Sequence, residues 1–445
     1  MKIDSKNQGQ NGKEYIINKF DNGEATVGII GLGYVGLPLA LTYASKKIKV
    51  LGFDINENII NKIRDGESYI HHIKSEIISK ARINNILEPT SDISRVQEVD
   101  AIIICVPTPL KLHREPDLKY IKQTIKSISD YLRPYQVLSL ESTTYPGTTE
   151  EIIQPYIDKK GFKIGEDFFL IYSPEREDPG NTSYNTSNIP KVLGGYTQNC
   201  SEVGFKLYSQ IISKIVTLSS LRAAEMTKLL ENIHRAVNIG LMNELKPLAN
   251  KMNIDLYEVI RAASTKPFGF VPYYPGPGLG GHCIPIDPFY LTWKAREYGM
   301  DTRFIELAGQ INASMPEYVV QKVSEALNNK KKSINGSNLI VLGLAYKKNV
   351  DDARESPSIE LIKLLTNKGA NVKFIDPYFE QFPDIRKYKL SIEKIELNQE
   401  NLVKSDCLIV ATDHDCFDYE LIKNFSQLII DTRGKYNTSD KIIRA

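Results

Sequence analysis

The feature that most constrains the fold of this chain is a glycine pattern, Gly31-x-Gly33-x-x-Gly36. The apolar run Thr26–Ile30 before it predicts a buried parallel strand, the residues after it continue as a helix, and Lys49–Phe53 predicts a second strand. Glycines permit the tight turn and the close helix–strand packing that this order of elements requires. The sequence therefore predicts a βαβ unit of the doubly wound α/β class.

The second predicted strand ends at Asp54, about 20 residues beyond the glycine pattern. A carboxylate at that place accepts a hydrogen bond from a ribose 2′-hydroxyl and repels a 2′-phosphate. The glycine pattern alone is weak evidence, because glycines also serve purely structural turns. Strand, helix, second strand and acid in sequence favour dinucleotide binding, with NAD preferred over NADP.

Composition excludes several classes of protein. The 445 residues allow two or three domains, and a net charge of +2 gives no basic surface for nucleic acid. The 5 cysteines are scattered, which favours reduced thiols in a cytoplasm. No apolar run reaches the length of a membrane-spanning helix, so no membrane partner is expected. The 6 histidines show no metal-ligand spacing, and the motifs of serine hydrolases and P-loop NTPases are absent from the sequence.

The N-terminal segment, residues 1–24, is polar and has no apolar core segment, so it is not a secretory signal. We expect it to be a flexible extension with no assigned role.

Three further apolar runs follow at βαβ spacing: Asp100–Val106, Gln136–Leu140 and Phe168–Tyr172. Each ends in a polar loop that contains proline. In a parallel sheet such loops lie at the carboxyl edge, where ligands bind, although ordinary turn chemistry explains the same residues. The site candidates on these loops are Thr108, Thr143 and Glu175.

The middle of the chain is helical. Leu221–Met252 carries apolar residues at helical spacing, and Glu225, Lys228 and Asn232 share a second face. A lysine and an asparagine one turn apart could orient a polar substrate, whereas a solvated polar stripe is the alternative. Long apolar helices between two α/β units are also suited to form a dimer surface.

A third unit begins near Ser337 with four predicted strands: Leu339–Leu342, Val372–Ile375, Leu408–Ala411 and Leu428–Ile430. Helical stretches separate the strands, which predicts a second nucleotide-fold-like domain without the glycine pattern. Cations at or near its strand ends suit a diphosphate, and ordinary surface cations are the alternative. These cations are Lys347, Lys348, Arg354 and Arg433.

The stretch Pro275–Tyr290 places one thiol, Cys283, between a glycine-rich approach and the carboxylate of Asp287. Two prolines after the cysteine rule out an ordinary helix interior. A cysteine held in this way suits covalent catalysis, because a carbonyl intermediate can be retained on sulfur. The alternative is a turn whose small cysteine only packs inward.

Seven blocks in chain order resemble the UDP-sugar 6-dehydrogenase family, from about Ala25 onward. They are Gly-Leu-Gly-Tyr-Val-Gly, Cys-Val-Pro-Thr-Pro, Glu-Ser-Thr-Thr-Tyr-Pro-Gly-Thr, Tyr-Ser-Pro-Glu-Arg, Ala-Glu-Met-Thr-Lys-Leu-Leu-Glu-Asn, Gly-Gly-His-Cys-Ile-Pro-Ile-Asp-Pro and Tyr-Lys-Lys-Asn-Val-Asp-Asp-Ala-Arg-Glu-Ser-Pro. The resemblance implies two Rossmann-like doubly wound domains joined by a central helical dimerisation segment. The implied segments are 1–24, 25–218 for NAD, 219–328 with the cysteine loop, and 329–445 for UDP.

The resemblance implies NAD-dependent, four-electron oxidation of a UDP-sugar at C6. The residues around Cys283 and the stretch Ser-Pro-Glu-Arg-Glu-Asp-Pro-Gly are most similar to the branch that acts on UDP-N-acetylglucosamine, whose product enters bacterial surface polysaccharides such as O-antigen. UDP-glucose and the N-acetylmannosamine or N-acetylgalactosamine epimers remain open as substrates. A two-electron dehydrogenase with Lys228 as base, or a non-catalytic dinucleotide-binding protein, also remains open.

The resemblance also implies roles for single residues. Cys283 forms a thiohemiacetal that is oxidised to a thioester, and Lys228 with Asn232 stabilises the oxyanion. Asp287 helps a water to act as base, and Glu175, with water positioned by Thr143, assists thioester hydrolysis.

The same resemblance implies two binding sets. The NAD set comprises Gly31, Gly33, Tyr34, Val35, Gly36, Asp54, Pro107, Thr108, Thr143 and Arg354. The substrate set comprises Glu175, Arg176, Lys228, Asn232, Tyr274, Gly280, Lys347 and Arg433. A cytoplasmic homodimer without a metal ion is expected.

The sequence departs from the glucose-oxidising members at several positions. Pro179 stands where those members have a second glutamate, Ile59 stands where an arginine often follows the second strand, and Lys266 is out of register with their substrate-reaching arginine. His282 replaces a smaller residue, and Arg176 adds a cation beside Glu175. Recognition of an N-acetyl group is expected at such positions.

Overall fold

The computed structural model describes residues 11–70, 73–111, 114–176, 187–281, 284–383 and 390–445. The chain divides into two compact units, of which the first runs to Glu231 and includes Arg296–Tyr298. The second unit comprises Asn232–Ala295 and Gly299–Ala445. Each unit contains one mainly parallel sheet, so the predicted fold class, α/β with two doubly wound domains, is confirmed.

The first unit is built on an eight-stranded sheet in the order β3-β2-β1-β4-β5-β6-β7-β8. All its neighbours are parallel except β6 and β7, which are antiparallel. Its first six strands have the order of dinucleotide-binding folds. The strands are β1 (Thr26–Ile30), β2 (Lys49–Phe53), β3 (Leu87–Thr90), β4 (Ala101–Ile104), β5 (Val137–Leu140), β6 (Phe169–Tyr172), β7 (Lys191–Gly195) and β8 (Ile215–Leu218).

Helices cover the first sheet and bury its apolar side chains, among them Val27, Ile29 and Ile103. The long α8 continues beyond Glu231 into the second unit. The helices are α1 (Gly12–Asp21), α2 (Gly36–Ser45), α3 (Glu57–Asp65), α4 (Ser75–Ile83), α5 (Lys119–Ile128), α6 (Gln154–Lys159), α7 (Gln198–Ser209) and α8 (Leu221–Lys251).

The expectation of a flexible N-terminal extension has to be corrected for α1. Ile16 and Phe20, one turn apart, are buried in the core of the first unit, and the Lys19 ammonium lies 2.6 Å from the carboxylate of Asp100. Two apolar residues at helical spacing are enough to dock a short helix when a core is already present. Residues 1–10 of the same segment lie outside the described residues.

The second unit is built on a six-stranded parallel sheet in the order β11-β10-β9-β12-β13-β14, which repeats the order of the first six strands of the first sheet. The strands are β9 (Asn338–Leu342), β10 (Asn371–Ile375), β11 (Glu393–Lys394), β12 (Cys407–Val410), β13 (Ile429–Asp431) and β14 (Ile442–Arg444). The helices are α9 (Leu256–Ala263), α10 (Asp287–Glu297), α11 (Arg303–Asn329), α12 (Pro357–Asn367), α13 (Gln399–Lys404) and α14 (Tyr419–Phe425).

The predicted strands agree with the structure to within one or two residues, whereas β3, β7, β8, β11 and β14 had no sequence-based prediction. The chain divides into two compact units, and α8 contributes residues to both of them. The proposed boundaries of the segments 25–218, 219–328 and 329–445 therefore stay a prediction.

Candidate active site

The turn after β1 cannot accommodate side chains at two of its glycines. Gly31 has φ +93°, and a Cβ on it would lie 2.7 Å from the carbonyl oxygen of Cys105. A Cβ on Gly36 would lie 1.8 Å from the carbonyl oxygen of Gly31. Helix α2 can therefore begin against the end of β1 only because both positions are glycine.

The same turn is open where a ligand would approach. A Cβ on Gly33 would meet no described atom within 4 Å. The N-cap of α2 is Val35, whose side chain offers no acceptor to the first-turn N–H groups, and Tyr34 lies partly buried beside it. A helix N-terminus of this kind suits the pyrophosphate of a dinucleotide.

The carboxylate of Asp54 is held at the end of β2 by backbone donors. Its Oδ2 accepts the N–H of Leu32 at 2.9 Å, and its Oδ1 accepts the N–H of Asn56 at 2.9 Å. Asp54 is half-buried, and the hydroxyl of Tyr69 donates to the carbonyl of Leu32. The residues present thus fit a dinucleotide with an unphosphorylated ribose.

The loops after β4 and β5 are tied together, because the hydroxyl of Ser142 donates to the carbonyl of Val106 at 2.7 Å. Pro107 is exposed, Thr108 is buried and Thr143 is half-buried. All three follow the carboxyl ends of β4 and β5, and Cys105, directly after β4, lies against Gly31 in the turn after β1.

The loop after β6 carries Glu175 and is anchored to α8 within the first unit. Lys228 is buried, and its ammonium donates to the backbone carbonyl of Glu175. The guanidinium of Arg176 lies 2.6 Å from the carboxylate of Glu231 and donates to the carbonyl of Pro190 at 2.6 Å. The structure thus brings together Glu175, Arg176 and Lys228, three predicted site residues from two motifs that are far apart in the sequence.

Sequence reasoning missed Lys191, which lies beside Glu175. Its side chain is only 5% exposed, and its ammonium lies 3.1 Å from the Glu141 carboxylate and 4.0 Å from that of Glu175. Burial works to lower the pKa of Lys191, but the two carboxylates outweigh it and raise that pKa above its usual value. A lysine at the head of the apolar run Val192-Leu-Gly-Gly was the only signal in the sequence.

The sequence pattern predicts that Glu225 shares a helix face with Lys228. The contacts of Glu225 instead indicate a structural role. Its carboxylate is buried and accepts from the N–H of Gly147 at 2.5 Å, and from the N–H and hydroxyl of Thr149 at 2.9 and 2.7 Å. Burial raises its pKa to about 7, although these hydrogen bonds oppose the shift. Glu225 therefore fixes the turn that precedes Thr149–Ile153.

In the second unit, the amide of Asn232 donates to Oδ2 of Asp287 at 2.5 Å. Both side chains are buried, and Asp287 is the first residue of α10. Two predicted site residues that are 55 positions apart in the sequence are thus in direct contact. Cys283, His282 and Pro179 lie outside the described residues.

The glycine-rich approach packs against the loop after β9, within the second unit. The N–H of Gly281 donates to the carbonyl of Arg354 at 3.0 Å, and a Cβ on Gly280 would lie 2.6 Å from the Cβ of Tyr346. Tyr346 precedes Lys347, so the structure brings Gly280, Lys347 and Arg354 into one region. The guanidinium of Arg354 lies 2.7 Å from the Asp352 carboxylate.

Arg433 lies beside the start of that approach. A Cβ on Gly276 would lie 2.8 Å from its Nη1, and its Nε donates to the carbonyl of Ala411 at 2.7 Å. Tyr274, also in the predicted substrate set, stacks on Tyr257 with ring centroids 6.3 Å apart.

Lys246 was missed by sequence reasoning. It is only 1% exposed, and its ammonium lies 3.4 Å from the carbonyls of both Gly276 and Thr432. Burial, helped by the nearby Arg433 cation, lowers the pKa of Lys246 to about 7. It lies three residues after Asn243, which is also buried, and because both residues are polar the sequence predicts exposure at these positions.

Two absences concern the described residues alone. They hold no group of three or more histidine, cysteine, aspartate or glutamate residues arranged for a metal ion. None of the helices described combines the length and apolarity that spanning a bilayer requires.

Comparison with known families accounts for nearly the whole chain. Residues 25–212 match the NAD binding domain of the UDP-glucose/GDP-mannose dehydrogenase family. Residues 222–314 match its central domain, and residues 340–438 match its UDP binding domain. The chain belongs to the UDP-glucose/GDP-mannose dehydrogenase family. The predicted resemblance is thereby confirmed.

Individual relatives of this UDP-sugar dehydrogenase support the same family assignment. The UDP-N-acetyl-D-glucosamine 6-dehydrogenase of Salmonella typhi is 35% identical over 88% of this chain and 91% of its own length. The UDP-N-acetyl-D-mannosamine dehydrogenase of Campylobacter jejuni is 35% identical over 87% of this chain and 95% of its own length. The solved structure of a UDP-D-ManNAc dehydrogenase from Pyrococcus horikoshii superposes with a TM-score of 0.84 at 30% identity, covering 94% of this chain and 98% of that one.

Family membership makes the protein an oxidoreductase of UDP-sugar dehydrogenase type with NAD as cofactor. The UDP binding domain implies a nucleotide-sugar substrate. Both statements agree with the glycine turn and Asp54 in the first unit and with the cations near the strand ends of the second.

Proposed function

We propose that the protein oxidises the C6 hydroxyl of UDP-N-acetylglucosamine to a carboxylate in two NAD-dependent steps. The observation that carries this proposal is the contact between Lys228 and the carbonyl of Glu175, 53 residues apart. It joins a candidate oxyanion donor to the candidate base for hydrolysis. The contact of Asn232 with Asp287 in the second unit supports the same assignment.

The proposed chemistry runs through the thiol of Cys283. NAD, when bound, accepts a hydride at each of the two oxidations. The aldehyde of the first oxidation adds to the Cys283 thiol, and the resulting thiohemiacetal is oxidised to a thioester. The ammonium of Lys228 and the amide of Asn232 stabilise the negative oxygen of these intermediates, and Asp287 assists the proton transfers.

Hydrolysis releases the product. A water, positioned by Thr143, attacks the thioester carbon and gives a proton to Glu175, and the carbon–sulfur bond breaks with sulfur leaving as thiolate. The cations Lys347 and Arg433 would neutralise the diphosphate of the substrate, and Tyr274 and Gly280 would border it. Arg354 would lie at the cofactor boundary.

The N-acetylglucosamine substrate is proposed from the resemblance around Cys283 and from relatives named for that activity. Relatives named UDP-N-acetyl-D-mannosamine dehydrogenase are equally similar to this chain, so that epimer is the second candidate. The two sugars differ only in the configuration at C2, which carries the N-acetyl group, and such a difference leaves no motif in the sequence.

The test is a spectrophotometric NADH assay against a panel of UDP-sugars with and without the N-acetyl group. We expect two NADH per sugar and the highest kcat/KM with UDP-N-acetylglucosamine. One NADH per sugar would contradict the covalent four-electron route. Cys283→Ser should abolish net four-electron turnover and leave NAD binding intact, and full carboxylate production by that variant would exclude the thioester.

We also propose a homodimer in the cytoplasm. Support for the dimer comes from exposed apolar side chains of the second unit. They are Leu241, Leu248, Met252, Ile254, Val259, Phe304 and Leu307. The buried, unbridged thiols of Cys200 and Cys407 support a reducing compartment. Sedimentation equilibrium tests the dimer, and a monomer at micromolar concentration would contradict it.

A further inference from the structure

The first unit holds a buried charge cluster for which the chemistry above assigns only one member a role. We call it the Lys191 cluster; its members are Ser139, Glu141, Glu175, Lys191 and Tyr208. The Lys191 ammonium lies between two carboxylates, at 3.1 Å from Glu141 and 4.0 Å from Glu175. The cluster therefore has a catalytic candidate, Glu175, at one end and internal groups at the other.

The topology of the sheet explains why the side chain at position 191 lies at the edge where β6 ends. In the antiparallel pair, Ile171 of β6 faces Gly195 of β7, and Tyr172 faces Gly194. Each step forward along β6 is a step back along β7, so this register brings Glu175 level with Lys191. A parallel β7 would have placed its first residue at the opposite edge of the sheet, far from the ligand loops.

The internal end of the cluster is rigid. The hydroxyl of Tyr208 donates to the Glu141 carboxylate at 2.6 Å, and its oxygen lies 2.7 Å from the hydroxyl of Ser139. The Lys191 ammonium also lies 4.7 Å from the centre of the Tyr208 ring. Because an unpaired buried ammonium is costly, these contacts fix the position of the cation.

The outer end of the cluster reaches the proposed site of hydrolysis. Glu175 is half-buried, and its Oε1 accepts the N–H of Arg176 at 2.6 Å while its Oε2 faces Lys191. A carboxylate oxygen has two lone pairs, so an oxygen that already accepts one hydrogen bond can accept a second from a water.

We propose that Lys191 is a positioning residue that holds the Glu175 carboxylate toward the water that cleaves the thioester. This inference rests on the proposed function and deepens it. In that step the water oxygen bonds to the thioester carbon, its proton passes to Glu175, and the carbon–sulfur bond breaks. Lys191 neither gives nor takes a proton; it acts through the orientation and charge of Glu175.

Three variants test the role. Lys191→Met removes the cation, and Lys191→Met combined with Glu141→Gln restores internal charge balance without restoring the contact to Glu175. Lys191→Arg keeps the charge and changes the geometry. We expect a fall of about 10- to 100-fold in kcat for both Met variants, with KM changed less than about threefold. The double variant should regain the thermal midpoint but not kcat.

A second readout is specific to hydrolysis. Both Met variants should still form two NADH per active site in the first turnover and then accumulate the sugar–enzyme thioester, seen by intact-protein mass spectrometry after acid quench. Arg133→Met is the matched control, since it removes a cation 2.8 Å from the buried carboxylate of Asp100 at the amino edge of the sheet. That control should lower the thermal midpoint and leave kcat unchanged.

A double variant with wild-type kcat would overturn the proposal, because Lys191 would then serve only to neutralise Glu141. If neither Met variant folds, the Arg variant decides. A lowered kcat with a displaced pH profile supports positioning, and an unchanged kcat and pH profile overturns it. A wild-type protein that releases two NADH while the Met variants hydrolyse normally refutes the Lys191 role alone. A wild-type protein that releases fewer than two NADH refutes the proposed function and this inference with it.

Discussion

The two units contain the same backbone turn with different surroundings. In each, a glycine of positive φ directly follows a strand, Gly31 (+93°) after β1 and Gly343 (+89°) after β9. The N–H of each glycine donates at 2.8 Å to the carbonyl oxygen of the last residue in the neighbouring strand. In each, an aspartate after that neighbouring strand accepts the next N–H, at 2.9 Å for Asp54 and 2.6 Å for Asp376.

The aspartates differ in what else they accept. Asp54 is half-buried and takes one further backbone N–H. Asp376 is 1% exposed and also accepts from the N–H groups of Ala345 and Tyr378 and from Nε2 of His414 at 3.1 Å. Since Nδ1 of His414 accepts the N–H of Asn349, the ring proton lies on Nε2. The Asp54 carboxylate thus has fewer internal partners, in keeping with the ligand-binding role that we propose for it, whereas the Asp376 carboxylate is held by internal hydrogen bonds.

The largest effect is expected from Asp376→Ala. It leaves three backbone donors and the His414 ring without an acceptor in a buried site, which should lower the free energy of unfolding by about 3–5 kcal/mol. Urea unfolding monitored by tyrosine fluorescence measures the loss, with Asp54→Ala as the matched variant. Equal losses in the two variants would break the comparison between the aspartates.

The units also differ in the charge that α8 buries, and Lys246 in the second unit should make stability rise with pH. Its folded pKa of about 7 is below the value of 10.5 in the unfolded chain, so the unfolded state binds the extra proton between those values. Stability should therefore increase from pH 7 toward 10.5, by on the order of 4 kcal/mol. Urea unfolding of Lys246→Met should lack this increase, and parallel curves for the two proteins would contradict it.

Glu225 in the first unit should act with the opposite sign. Its folded pKa of about 7 exceeds the unfolded value of 4.5, so the folded state holds the extra proton between them. Its contribution to stability is full below pH 4.5 and is lost as the pH rises to about 7, by on the order of 3 kcal/mol. Glu225→Gln keeps an acceptor and should remove this slope in urea unfolding; a slope retained by the variant would show another group to be responsible.

The smallest effect concerns binding. Asp54→Asn should raise the dissociation constant of NAD about 10-fold, or about 1.4 kcal/mol, and reduce discrimination against NADP, because a charged acceptor becomes neutral. Isothermal titration calorimetry with both dinucleotides measures this. Asp376→Asn is the control and should leave the NAD:NADP ratio unchanged. A changed ratio in that control would mean that the aspartates do not have separate tasks.

Much of the fold and several candidate site residues could be predicted from the sequence, because strong local patterns indicate them. The glycine turn and Asp54 follow from sterics within one βαβ unit, and the contact between Asn232 and Asp287 joins two residues already named. The residues that escaped prediction depend on tertiary context. Lys191 heads a short run with two glycines, whose antiparallel direction only the finished sheet determines. Lys246 is polar, and a polar residue on a helix predicts exposure rather than burial.

Gly33 has a consequence for stability engineering. Its backbone is not in the left-handed region, and an added Cβ would meet no described atom within 4 Å. Replacing such a glycine by alanine ordinarily stabilises a folded chain by about 0.4–1 kcal/mol, because the unfolded chain loses freedom. A redesign that scores this chain by itself would therefore select alanine at Gly33 and fill the space that we propose for the pyrophosphate of NAD. Positions of this kind have to be withheld from any such optimisation.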